Sequence, residues 1–179
     1  MFERRGYLDA RVSDITKAAK VAHGTFYTHF PSKREVFLEV VTQVVDDIYV
    51  ATRQPLDGAY GIAQRIEHAN RAYLEAYSRN AAIMALLEQA ATFRGDDQFR
   101  QTRRDLRRTF VERTERSLVR LQRDGKADAT LDPHVTADAL GSMIDNYAYV
   151  HFFLGESTDT EAAVRNLTKL WVNAIGLRE

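Results

Sequence analysis

Between Val12 and Lys33 the chain reads V-S-D-I-T-K-A-A-K-V-A-H-G-T-F-Y-T-H-F-P-S-K. The polar side chains of its second half are of kinds that meet nucleic acid. His23, Thr25, Tyr27, Thr28 and His29 offer imidazoles, hydroxyls and a phenol, groups that bond base edges and phosphate oxygens. Gly24 and Thr25 are small enough to let the backbone come close to a groove. Two short helices, Val12–Ala19 and His23–Phe30, would hold these groups. Ile15, Ala18, Ala19, Val21, Phe26 and Phe30 are expected to pack them together across a tight turn. That arrangement is a helix-turn-helix, whose second helix can enter the major groove of double-stranded DNA.

Local charge agrees. The whole chain carries 25 basic and 25 acidic residues, so its bulk charge points to no partner. Residues 1–34, however, hold Arg4, Arg5, Arg11, Lys17, Lys20, Lys33 and Arg34 against only Glu3, Asp9 and Asp14. A short basic segment in a neutral protein suits a phosphate-facing head. An ordinary helical hairpin with incidental polar residues is the alternative, and order, spacing and charge together weigh against it.

Other chemistries find little support. There are no cysteines, which removes disulfides, thiolate metal sites and cysteine nucleophiles. No Glu-x-x-His pair, Gly-rich phosphate loop or nucleophile elbow occurs, and the five histidines (His23, His29, His68, His134, His151) lack ligand spacing on one helical face. The expectation is therefore a non-enzyme with no metal and no cofactor. Met1–Ala10 has no apolar run, and no window approaches the roughly 18–20 apolar residues of a membrane span. A soluble, cytoplasmic protein without a membrane partner is expected.

The elements that must position the motif are all helical. Pro31, Pro55 and Pro133 sit at breaks and interrupt no periodic apolar pattern. Lys33–Thr52 is predicted as a long helix with Ser32 as its N-cap and Val36, Phe37, Val40, Val44 and Ile48 on one stripe. Gln54–Gly61 reads as a hinge, dividing a head (1–53) from a body (54–179). In the body, Ile62–Ser78 and Ala81–Phe93 are expected as two helices separated by Arg79-Asn80. Asp97–Asp124 follows, with Phe99, Leu106, Phe110, Leu118 and Leu121 inward and Gly125 as its stop. Val135–Leu154 and Thr160–Ile175 close the chain, divided by Gly155-Glu156-Ser157. The arginines of Asp97–Asp124 are interleaved with Asp105, Glu112 and Glu115, and read as a solvated, i,i+4-paired face.

The run H-G-T-F-Y-T-H-F-P-S-K-R-E-V-F resembles the recognition helix of the TetR family and the start of its next helix. The preceding R-G-Y-L-D-A-R-V-S-D-I-T-K-A-A is similar to the end of that family's first helix and to its second. The likeness is specific over residues 2–45 and architectural beyond them. It implies an all-α regulator with a DNA-reading head and a ligand-binding, dimerising body. Thr25, Tyr27 and Lys33 would then contact phosphates, His23, Thr25, Thr28 and His29 would face base edges, and Ser13 would bind backbone or a flanking base. Three departures stand out. Only Met1–Arg5 precede Gly6-Tyr7 where the family has a complete first helix, Lys20 stands for the glycine usual at the turn, and Ala22 stands for the usual Ser or Thr cap.

From the same resemblance follow a homodimer on a palindromic operator and a small-molecule effector, favouring a repressor. The last two helices would make the interface, with Leu140, Met143, Tyr147, Val150, Leu167, Trp171 and Ile175 as candidates. Tyr73, Tyr77, Met84, Phe93, Phe110, Asn146, Tyr147 and His151 are candidates for the effector cavity. Asn146 stands out among them as an amide in an apolar helix. The competing reading is a ligand-binding or dimerising protein that has lost DNA binding through a shortened N-terminus.

Overall fold

Apolar residues recurring at helical spacing, with few breakers between them, leave this chain no route to a core except helix on helix. A computed structural model describes residues 1–53, 60–92, 97–156 and 159–178, and among these no strand occurs. The head consists of α1 (Phe2–Asp9), α2 (Val12–Ala19), α3 (His23–His29) and α4 (Lys33–Ala51). The body consists of α5 (Ile62–Ala91), α6 (Asp97–Arg123), α7 (Pro133–Ala148), a π-helical turn (Tyr149–Phe153) and α8 (Thr160–Ala174). Among the described residues no helix is long and apolar enough to cross a membrane.

Caps explain most boundaries. Ser32 Oγ accepts from the Glu35 amide and opens α4, while Asp132 and Asp159 do the same for α7 and α8. Gly125, at φ +71, ends α6 as its position suggests. Arg79-Asn80 does not break the chain, and α5 runs through it as one helix of 30 residues. Asn80 Nδ2 donates back to the Ala76 carbonyl at 2.9 Å, so the helix itself satisfies this polar side chain. The expected helix Val135–Leu154 instead changes to π geometry after Ala148. Most of the expected hinge (Gln54–Ala59), as well as Phe93 and Ser157, lies outside the described residues.

Head and body share one apolar core. Phe2, Phe37, Val41, Val45 and Ile48 from the head continue into Leu74, Tyr77, Leu87, Phe99 and Ile144 of the body. Phe99 belongs to α6 yet sits edge-on to Tyr7 and Phe37 of the head, at 5.1 and 5.7 Å between ring centroids. Beside it Gln98 accepts from Arg34 at 3.3 Å and donates to Glu35 at 3.4 Å. The body therefore grips the head at the start of α6 as well as through α4.

Candidate nucleic-acid interface and effector cavity

The motif is presented as its residue types suggest. His23, Gly24, Thr25, Tyr27, Thr28 and His29 are all exposed on α3, while Phe26 is buried and fixes the helix to its support. His23 lies edge-on to the Tyr27 ring at 5.4 Å, and Thr28 Oγ1 donates to the Gly24 carbonyl. Ser13 is exposed on α2, although the helix begins one residue earlier and is closed by Asp14, whose carboxylate accepts from the Arg11 amide at 3.3 Å. The packing between the two helices is narrower than expected. Thr16 and Phe26 are buried and Ile15 partly so, whereas Ala18, Ala19 and Val21 are exposed.

The two turn departures have local consequences. Lys20 takes the left-handed conformation itself (φ 56, ψ 37), the only described non-glycine with positive φ. Ala22 caps α3 without a side-chain bond; only its carbonyl takes part, accepting from the Thr25 amide at 3.0 Å. Replacing Ala22 with Ser should stabilise the protein by about 1 kcal/mol. Urea melts check this, and an unchanged midpoint would count against the cap assignment.

Lys33 has a different position from the one the resemblance implies. Its Nζ donates to the carbonyls of Tyr7 and Leu8 at 2.7 and 3.0 Å and lies 4.8 Å from the centre of the Tyr7 ring. It closes the C-terminal end of α1, where a cation is favoured by the orphan carbonyls. Burial lowers its pKa, and the nearby Asp9 carboxylate partly offsets that. Lys33 thus fixes α1 beneath the motif, with two of its three donors committed inside the chain.

Three neighbouring spaces that share lining residues lie among α4, α5, α6, α7 and α8. The middle one, of about 60 Å³, is a narrow apolar neck walled by Val45, Ile48, Met84, Leu106, Phe110 and Ile144. Gly141 makes room there, since a Cβ on it would meet the Phe110 ring at 2.7 Å. On one side a chamber of about 480 Å³ includes Tyr77, Glu88, Arg103, Arg107, Asp145 and Asn146. On the other, a chamber of about 520 Å³ is bounded by Thr52, Asn70, Tyr73, Phe110, Arg113 and Trp171 among others.

Of the expected effector residues, Tyr73, Tyr77, Met84, Phe110 and Asn146 line these spaces. Tyr147 and His151 line none of the three; their rings pack on each other at 4.0 Å. Asn146 is exposed, so it is not a buried amide. The inward polar group is its neighbour Asp145, which accepts from Tyr73 Oη at 2.8 Å and pairs with Arg103 at 3.2 Å. One residue is 100° of helical rotation, and periodicity did not separate the two. Arg103 also pairs with Glu88, and Arg107 pairs with Asp138 at 2.7 Å. These two arginines and Arg113 are therefore bound to other helices, a correction to the fully solvated face expected for α6. Burial raises the pKa of Tyr73 and, with Asp145, pushes that of Tyr49 up to about 12, so both phenols stay protonated as donors.

The expected interface set divides. Leu140, Leu167 and Ile175 are buried within the chain's own core, so they cannot face a partner. Met143, Tyr147, Val150 and Trp171 are half-buried. The large apolar residues left exposed from α7 to α8 are Val135, Phe153, Leu154 and Leu170.

Residues 1–40 match the family model of bacterial regulatory proteins, tetR family. The N-terminal region of the chain resembles that of TetR-family regulators. The transcriptional repressor KstR2 of Mycolicibacterium smegmatis is 26% identical over 84% of this chain and 71% of its own length. The transcriptional regulator EthR of Mycobacterium tuberculosis is also 26% identical, covering 98% of this chain and 82% of its own. Two solved structures share this fold. A transcriptional regulator from Rhodococcus sp. Rha1 superposes with a TM-score of 0.77 at 21% identity, covering 99% of this chain and 93% of that one. The fatty acid degradation regulator FadR of Bacillus halodurans gives 0.75 at 19%, covering 99% and 91%. On these likenesses the chain is a ligand-responsive DNA-binding regulator, with α1–α4 as its helix-turn-helix head and the helical body behind it.

Proposed function

We propose that this regulator acts as a homodimer on a palindromic operator and is released from it, as a repressor, when a small molecule occupies the body. The observation that carries the DNA half is the exposure of every candidate contact on α3 while Phe26 anchors the helix. Ser13, His23, Gly24, Thr25, Tyr27, Thr28 and His29 make the contacts, and Lys33, at the start of α4, supports them by holding the end of α1. A dimer sets two such helices about 34 Å apart, one turn of DNA. The exposed apolar residues Val135, Leu154 and Leu170, with half-buried Met143, Tyr147 and Val150, supply the face across which it pairs.

Coupling follows from α4 and α6. Helix α4 leaves the motif and ends at the larger chamber, where Thr52 is part of the wall. Helix α6 starts against the head, where Phe99 packs on Tyr7 and Phe37, and passes the neck before reaching the same chamber. A ligand that fits only one arrangement of these helices must alter DNA affinity, and DNA must alter ligand affinity by the same factor. No catalytic role is assigned to any residue, and the protein works in the cytoplasm, where its operator is.

The test is fluorescence anisotropy of labelled DNA from the gene's own upstream region, titrated at two salt concentrations. Saturable binding of two chains per palindrome, weakening steeply with salt, is the expected result. Binding that is independent of sequence would overturn the operator assignment, and no binding even at low salt would favour a sensor without DNA binding.

A further inference from the structure

The two chambers flanking the neck differ in one respect that their size does not show. In the smaller, the charges are matched: Arg103 with Glu88 and Asp145, and Arg107 with Asp138. In the larger, Arg65, Arg113, Arg120 and Lys126 face a single carboxylate, Asp124, and none of the four takes part in an ion pair among the described residues. Trp171 is in the same wall, and its indole Nε1 is buried without a hydrogen-bond partner among them. Surplus cations and an orphan donor call for an acceptor with negative charge. The mostly apolar neck, which shares Tyr73, Phe110 and Ile144 with this chamber, suits a hydrocarbon part.

Arg113 connects the chamber to the head. Its Nη1 donates to Thr52 Oγ1 at 2.8 Å and its Nη2 to the Thr52 carbonyl at 3.2 Å. Thr52 is the C-cap of α4, so the guanidinium holds the end of the helix that leads to the DNA motif. A neutral hydroxyl and a carbonyl are weak partners for a half-buried cation, and burial together with the charge of Arg53 works against the charged form of Arg113. A carboxylate or phosphate oxygen forms a stronger, bidentate pair with the same fork.

We infer that the effector is an amphipathic organic anion whose charged group pairs with Arg113 in the larger chamber, with its apolar arm in the neck, and that this pairing withdraws Arg113 from Thr52 and frees the end of α4. The inference rests on the effector-controlled reading above and specifies its ligand class and its switch. A carboxylate and a phosphate monoester share the required chemistry, so both are tested.

Trp171 is the chain's only tryptophan and reports on the chamber directly. Its fluorescence is titrated with decanoate, decyl phosphate and uncharged decanol, and DNA anisotropy is followed in parallel. At least one of the two anions should bind about tenfold or more tightly than decanol, a margin set by the loss of a charged hydrogen bond; which anion is tighter tells the carboxylate from the phosphate source. Arg113→Gln should abolish that margin, and Arg113→Lys should keep part of it. Thr52→Val, which removes the competing hydroxyl, should bind the anions more tightly and hold DNA less well. Thermal melts of each variant show that it is folded, and Thr52→Val keeps the inference testable if Arg113→Gln is not. Decanol binding as tightly as both anions, or no anion response in the folded wild-type protein, overturns the inference. Arg113-dependent anion binding that leaves DNA affinity untouched supports the site and overturns the effector-controlled reading. DNA release by decanol, independent of Arg113, does the reverse.

Discussion

Phe99→Ala is expected to cost about 3–5 kcal/mol of stability and to weaken DNA binding beyond what unfolding explains. The ring is fully buried, and its removal leaves a cavity beside Tyr7 and Phe37, rings that cannot easily collapse to fill it. At this chain length about 2–4 °C of melting temperature goes with each kcal/mol, so the midpoint should fall by roughly 6–20 °C. The DNA effect has a separate origin. Phe99 is where α6 meets α1 and α4, so its loss unfastens the motif from the body even in molecules that remain folded. Anisotropy at a temperature where circular dichroism shows the variant intact isolates that component. Phe99→Leu, which keeps most of the volume, should recover most of both. A melt within about 1 kcal/mol of wild type would mean that the Phe99 contact does not fasten the head to the body.

The sequence made the reading head legible because its signals are local. His23 to His29 is a run of exposed polar types around one buried ring, Phe26, and neither the turn at Lys20 nor the cap at Ser32 depends on distant residues. The body was legible only as helices. Apolar coverage of the last two gave the amount of surface to be buried but not its direction, so Leu140, Leu167 and Ile175 fall in the core and Leu170 outside. Charge spacing along α6 predicts neighbours on the same helix, and it cannot show that Arg103 reaches Glu88 on α5 and Asp145 on α7. Arg113 carries no mark at all in the sequence, because its partner is the end of another helix 61 residues away.

Arg103→Met is the second large effect, and its pH dependence distinguishes it from simple loss of packing. The side chain sits between Glu88 and Asp145, and Asp145 in turn holds the phenol of Tyr73 at the entrance to the neck. Removing the cation leaves two half-buried carboxylates without their counter-charge, at a cost of about 2–4 kcal/mol, toward the lower end for buried pairs because water still reaches this site. Methionine fills the volume, so little of that loss comes from a cavity. Burial already raises the Glu88 pKa above its ordinary 4.5, and Arg103 is the largest influence opposing that rise. A carboxyl whose folded pKa is raised contributes stability that is complete below the unfolded value and lost as pH rises through the folded one. The deficit of Arg103→Met should therefore be greatest near neutral pH and shrink as pH falls toward 4.5, because the variant raises Glu88 further still. Adding Glu88→Gln to Arg103→Met should restore part of the stability at pH 7 and flatten this pH dependence. Urea melts of the three proteins at pH 7 and pH 5 measure it, and a deficit equal at both pH values would show that Arg103 stabilises the core by its packing and not by its charge.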